Sequence, residues 1–389
     1  MEQHIEKYDK KKVRLISLTS FLYGFSLSLS IYILSLYYKE VVGEEKVGVF
    51  FLIEYIILLV LLLNLHHLIK KTSKSFATIF MMFARAILAL GLYFFWTTPN
   101  VVGSFVLMSY IIFGSLASVS LDIMLESFST DNMSGRIRGL YLTVVNAGFI
   151  LGPYYSMKIY SEHGFSAVFK AMFLVDLLIF FISYLGLRGV NHSHLRTNTI
   201  LDVLKSVLAK KDIMRIYFIS FVLDFFYATM IIYSLIYMRD IGFSGDEISK
   251  IFTIMLLPFV LLQYPIGVLA DKMNEKKMIL LSLIIISYST ATIFFLDFKS
   301  FVLWTIILFA TRVGAAMLEI LRDSYFYKRI DGDDVGLIDF FRTTRSIGYI
   351  IFSVISLILL IFFPTKSVFL LLSLVAFLGT YAATRLGRD

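Results

Sequence analysis

An all-helical integral membrane protein, with twelve transmembrane helices in two six-helix bundles, is the fold this sequence predicts, and three observations carry it. Of its 389 residues 58% are hydrophobic and 16% charged, against roughly 45–50% apolar in soluble domains. About twelve apolar runs reach the roughly 20 residues needed to cross the hydrocarbon core. The polar breaks between them are short, except for one near the middle that divides the runs six and six.

The first run, Leu15–Tyr38, follows the polar, basic tail MEQHIEKYDKKKVR. It is too long for the apolar region of a cleaved signal peptide. Spans follow at Val47–Ile69, Phe76–Trp96, Val101–Leu125, Gly139–Ile159 and Ser166–Leu187. The pattern then breaks between Arg188 and Lys211: NHSHLRTNT reads as a polar linker, and Ile200–Lys211 as a short basic amphipathic helix on the inner leaflet. The plan resumes with Met214–Tyr237, Ile248–Ala270, Lys277–Leu296, Phe301–Leu321, Val335–Phe363 and Ser367–Thr384. The organisation is therefore a six-helix half over 1–187, a cytoplasmic linker over 188–211 and a second half over 212–389.

The net charge of +8 does not form one patch, which argues against nucleic acid as a partner. Roughly 24 basic residues fall in the N-tail, the even-numbered loops and the C-tail, against about 6 in the odd-numbered loops. That bias puts both termini in the cytoplasm and the chain in the inner membrane. The chain has no cysteine, so thiol catalysis and Cys-ligated metal are excluded. His66 and His67 lie at a helix end and His192 and His194 in the linker, so no metal site is expected. No phosphate-binding loop and no clustered His and carboxylate motif occurs, so the chain reads as neither an ATPase nor an enzyme, and no cofactor is expected.

A weak internal repeat links the halves. LDIMLESFSTDNMSGRIRGLY in the fourth span corresponds to LEILRDSYFYKRIDGDDVGLI in the tenth. Asp122 and Glu126 thereby align with Glu319 and Asp323, each pair spaced i, i+4 on one helix face. HHLIKKTSKSF after the second span sits where GVLADKMNEKK sits after the eighth, but lacks its Gly and Asp, with Lys70 standing where Asp271 does.

That second stretch, Gly267 to Lys277, carries dense charge between two apolar runs, and its Gly-x-Leu-Ala-Asp-Lys-x-x-x-Lys-Lys resembles the loop signature of the major facilitator superfamily. Asn274 stands for the second Gly of the signature and Glu275 for an Arg. With the span count, the resemblance covers nearly the whole chain. It implies a secondary transporter in which two halves rock about a midplane site, with spans 1, 4, 7 and 10 lining a central cavity. It also implies a conformational latch of Gly267, Asp271 and Lys272, with Asp271 capping the fifth span near Gly139 and Asp323 as the neighbouring acid. Physically, Gly267 would let two helix ends approach. In the fifth span, Gly148, Gly152 and Pro153 resemble the first half of the family's proton-coupled export signature. Small residues four apart also serve as plain helix packing.

Charged residues inside spans are costly and so are candidate sites. Asp224 in the seventh span and Arg312 in the tenth match in depth and are read as facing the cavity, Asp224 as the proton-coupling residue; a static ion pair is the rival. Arg85 and Asp176, also at one depth, read as a structural pair. Glu54 has no partner legible in the sequence and is the second candidate for proton binding. Arg342 and Arg345, i, i+3, lie within reach of Glu319 as a cytoplasmic-side network, with an anion site as the sharper alternative. Tyr23 and Tyr32 in the first span and Tyr227 and Tyr233 in the seventh can line a cavity for an amphipathic substrate or serve as interhelical hydrogen-bond glue.

These readings converge on a monomeric, proton-coupled transporter, embedded in the lipid bilayer, for a small amphipathic organic molecule, with export preferred. The rivals are an importer of a sugar, peptide or lipid-related solute and a transporter-like sensor or assembly subunit without turnover.

Overall fold

The computed structural model describes residues 10–126, 134–187, 210–270, 275–329 and 340–387. Every regular element among them is helical, as a bilayer requires, because an open backbone in hydrocarbon has no water to satisfy its N–H and C=O groups. The helices are α1 (Lys10–Val42), α2 (Val47–Lys71), α3 (Lys74–Phe95), α4 (Val101–Glu126), α5 (Ser134–Gly186), α6 (Lys211–Asp240), α7 (Gly245–Leu261), α8 (Gln263–Ala270), α9 (Glu275–Phe294), α10 (Phe301–Tyr327), α11 (Thr344–Phe362) and α12 (Ser367–Thr384). Polar side chains set several starts. Ser73 accepts from the Phe76 N–H ahead of α3, Asn100 from the Gly103 N–H at α4, and Ser244 and Glu247 form a reciprocal capping box at α7.

Eleven helical stretches among the described residues are long and apolar enough to cross a membrane, where the sequence predicts twelve. The difference lies in α5. The predicted fifth and sixth spans run together there as one stretch, Thr143–Gly186, of 44 residues. Gly164 interrupts it with φ 71° and ψ −169°, a backbone conformation open to glycine and costly for residues with a Cβ. Conversely, the predicted eighth span is divided into α7 and α8 at Leu262, whose N–H bonds the carbonyl of Pro258. The predicted linker and its amphipathic segment lie outside the described residues up to position 209.

The chain forms two compact units, Met1–Val41 with Ile57–His194, and Val42–Ile56 with Leu195–Asp389. Residues 47–56 of α2 thus belong to the second unit and the rest of α2 to the first. In the first unit α3 packs against α4 and α5; in the second, α9 packs against α10 and α12, α6 against α10, α11 and α12, and α10 against α7 and α8.

The same contacts recur in each unit two hundred positions apart. Tyr37 Oη donates to the Trp96 carbonyl at 3.0 Å and Tyr237 Oη to the Leu296 carbonyl at 3.0 Å. Gly148 faces Phe25 N and Gly348 faces Phe225 N. This register corrects the alignment of Asp122 and Glu126 with Glu319 and Asp323, which is three positions short; Asp122 corresponds to Arg322. A slip of three residues nearly completes a turn of 3.6 and leaves a charged face in place, so charge spacing alone does not detect it.

Candidate functional site

Among the candidate spans α6 is the best enclosed, with 89% of its apolar window buried, so a charge on it is met by protein rather than lipid. Asp224, near its middle, is 2% exposed. Gly348 of α11 makes the close fit possible: a Cβ there would lie 2.9 Å from the Asp224 Cβ. α11 thereby packs directly against the Asp224 stem and backbone, and α10 supplies the cation. Arg322 Nη1 donates to Asp224 Oδ2 at 3.3 Å and to the Ser220 carbonyl at 3.4 Å. Its Nε lies 3.5 Å from Asp323 Oδ1, and the guanidinium sits over the Phe341 ring.

One turn earlier on α10, Glu319 accepts from Gln263 Nε2 of α8 at 3.2 Å. The Arg322 charge acts on Asp224, Asp323 and Glu319, and Arg345 adds a weaker influence on Glu319. Three carboxylates therefore gather about one guanidinium. Tyr227, on the same helix as Asp224, faces this cluster electrostatically and packs near Phe259.

Arg312, matched to Asp224 by depth in the sequence, is not its ion-pair partner. It is 2% exposed, lies 4.9 Å over the Phe226 ring, and buries Nη1 without a hydrogen-bond acceptor. Arg322 stands ten residues further along α10, about 15 Å of helical rise. A depth count from span ends treats helices as parallel and side chains as points, and the long, flexible stem of an arginine defeats it.

Glu54 at the start of α2 is 1% exposed, and its Oε2 has no hydrogen-bond partner. A partner in charge exists: Arg345 acts on it and hydrogen-bonds its neighbour Tyr55. The Tyr55 ring stacks on Tyr349 of α11 at 3.9 Å. Arg345, itself exposed, thus acts electrostatically on both Glu54 and Glu319. Arg342 is partly exposed.

The first unit holds a separate network. Arg85 Nη2 lies 3.5 Å from Asp176 Oδ1, both fully buried. Ser26 of α1 donates to the same carboxylate oxygen at 2.7 Å, and Arg85 donates to Ser26 Oγ at 3.1 Å and to Tyr110 Oη of α4. The guanidinium lies over the rings of Tyr110 and Tyr23, and Tyr23 Oη donates to the Gly114 carbonyl. Four helices are thereby tied at one point, and Tyr23 acts there as interhelical glue. Tyr32 and Tyr233 are 1% and 0% exposed, Tyr233 edge-on to Phe352.

Gly148 and Gly152 seat α5 against α1. A Cβ at Gly148 would overlap the Phe21 carbonyl, and one at Gly152 the Ser28 hydroxyl, so packing accounts for both glycines. Pro153, next in α5, is buried. Of the latch residues, Asp271 and Lys272 lie outside the described residues. Gly267 is not at a tight crossing, since a Cβ there would meet Ile320 Cγ2 at an ordinary 3.7 Å. Glu275, where the loop signature has a cation, is 2% exposed and accepts from Ser324 Oγ at 2.6 Å and Lys328 Nζ at 2.8 Å. It ties the start of α9 to the end of α10. Arg322, Gln263, Tyr110 and Glu275 are the site residues that sequence reasoning missed; Glu275, a charge of inverted sign inside a recognised motif, carried the one available signal.

No curated protein matches the chain. Residues 216–388, which hold α10, α11 and the whole cluster about Arg322, match the family model of the Major Facilitator Superfamily. Taken with the apolar helices, that match, which covers the second half of the chain, supports a multi-pass membrane transporter similar to the Major Facilitator Superfamily.

Proposed function

We propose that the protein is a proton-coupled secondary transporter that exports a small amphipathic organic solute by alternating access. In this reading it has twelve spans in two six-helix halves, 1–187 and 212–389, joined by the linker 188–211. It lies in the inner membrane with both termini cytoplasmic. A continuous helix of 44 residues would be roughly 66 Å long, about twice the hydrocarbon core, and its break at Gly164 favours two crossings.

The observation that carries the coupling is the excess of acid about Arg322. Asp224, Glu319 and Asp323 share its charge, Arg345 adds only a weaker influence on Glu319, and surplus charge within a membrane is costly. A proton is the smallest ion that can balance the surplus. Protonation of Asp224 would release Arg322 toward Glu319 and Asp323, which both stand on α10 itself. The tie between α6 and α10 would then depend on the proton, as coupling requires of a two-state element.

The test is flux into proteoliposomes of purified protein under an imposed pH gradient, with solutes chosen by thermal stabilisation. The wild type accumulates a stabilising solute when the gradient is present, and Asp224→Asn still binds it without gradient-driven accumulation. Retained proton-driven transport in Asp224→Asn would exclude the coupling role. Binding without flux in the wild type would identify a sensor.

A further inference from the structure

At the end of α6 that opens the second unit lies a cavity of about 360 Å³, lined by Lys210, Lys211, Asp212, Ile213, Arg215 and Arg329. Four cations face it against one carboxylate. The carboxylate is engaged: Asp212 Oδ1 accepts from Arg215 Nη1 at 2.8 Å and from the Gly387 N–H at 3.2 Å. Arg329 is held flat, its guanidinium 3.5 Å from the Tyr325 ring centroid and its Nη1 donating to the Tyr325 carbonyl. Tyr325 Oη in turn donates to the Gly387 carbonyl. Asp212, Tyr325 and Gly387 therefore fix two guanidinium groups at the wall of one cavity, which gives a preformed site in place of a run of solvated lysines.

We infer that this cavity binds a phosphate-type anion. Arginine presents paired donors that match phosphate oxygens, and lysine adds compact positive charge. The candidate spans begin at Lys211 and end at Phe326 on these two helices, so the cavity stands where lipid headgroups lie. Met214 and Phe218, one and two turns into α6 and both exposed, offer apolar surface where acyl chains would run. The volume falls within the roughly 300–1,000 Å³ of small-molecule sites. Basic pockets at the cytoplasmic ends of helices suit anionic headgroups, and the positive-inside count assigns this end of α6 to the cytoplasm. The site is separate from the cluster about Arg322.

The experiment takes the purified full-length protein in detergent and records its melting temperature with phosphatidylglycerol, with phosphatidylcholine or with millimolar inorganic phosphate. Bound lipid is counted by native mass spectrometry. The comparison variants are Lys210→Gln/Lys211→Gln/Arg329→Gln and the charge-conserving Arg329→Lys. Phosphatidylglycerol is expected to be retained and to raise the melting temperature, phosphatidylcholine not, with retention weakened about fivefold for each charge removed. Arg329→Lys, which keeps the charge and loses the planar fork, is expected to fall between the wild type and the triple variant, and it serves alone if the triple variant does not fold. Stabilisation by inorganic phosphate that is lost in the same variants supports the site and assigns it a soluble anion. Equal responses to the two lipids with no response to phosphate, or an anion response unchanged in both variants, overturns the inference.

Discussion

Asp224 and Arg322 are the residues on which most depends. A buried ion pair adds little over an apolar pair of the same size, whereas removing one partner strands a charge and costs about 3–5 kcal/mol. Arg322→Gln should therefore destabilise the protein by that order, and more than Asp224→Asn, because it strands Asp224 beside Asp323 and Glu319. The double variant should recover part of the loss. Unfolding of the four proteins in detergent gives the coupling energy; additivity within about 0.5 kcal/mol would show that the 3.3 Å contact carries no energy. Asp224 could be read from the sequence because a carboxylate inside an apolar run stands out. Arg322 could not. It sits in LRDSYFYKR, where every charge looks solvated, and spacing does not say which one turns inward.

At the scale of the element, glycines separate close packing from motif membership. Gly148 and Gly348 face backbone on a neighbouring helix, and Gly267 faces the ordinary contact with Ile320. Gly148→Ala and Gly348→Ala should each lower stability by about 1–3 kcal/mol, as overpacked sites do. Gly267→Ala should be neutral or gain up to about 1 kcal/mol from helix propensity. Thermal unfolding of the three variants ranks them, and a large loss at Gly267 would restore the tight crossing expected from the loop signature. A second prediction concerns the link between the α9–α10 turn and the start of α12. Lys366 holds the Asp297 carboxyl below its usual range through hydrogen bonds to both oxygens. A depressed carboxylate contributes stability that is present above the ordinary aspartate pKa and lost as pH falls through the folded value. Asp297 is 64% exposed, so the effect is small and fades with salt. Lys366→Gln should return the Asp297 titration toward the ordinary range, as read by NMR of the labelled carboxyl.

At the scale of the whole molecule, the helices were legible because hydrocarbon imposes length and apolarity on every span. What joins two spans was less legible. The stretch KIYSEHGFS is too short to show whether the helix ends or bends, and Gly164 decides it through a backbone angle that no residue count reveals. The number of crossings therefore stands on α5, and the chain is well suited to the test because it has no cysteine of its own. His163, exposed beside Gly164, and Lys210, exposed at the start of α6, can each be replaced by a single cysteine. With two crossings in α5 and both termini inside, His163→Cys reacts with an impermeant maleimide on intact cells, whereas Lys210→Cys reacts after the membrane is opened. If α5 crossed once, its two ends would lie on opposite faces, and His163→Cys, in mid-stretch, would be shielded from the reagent on either side.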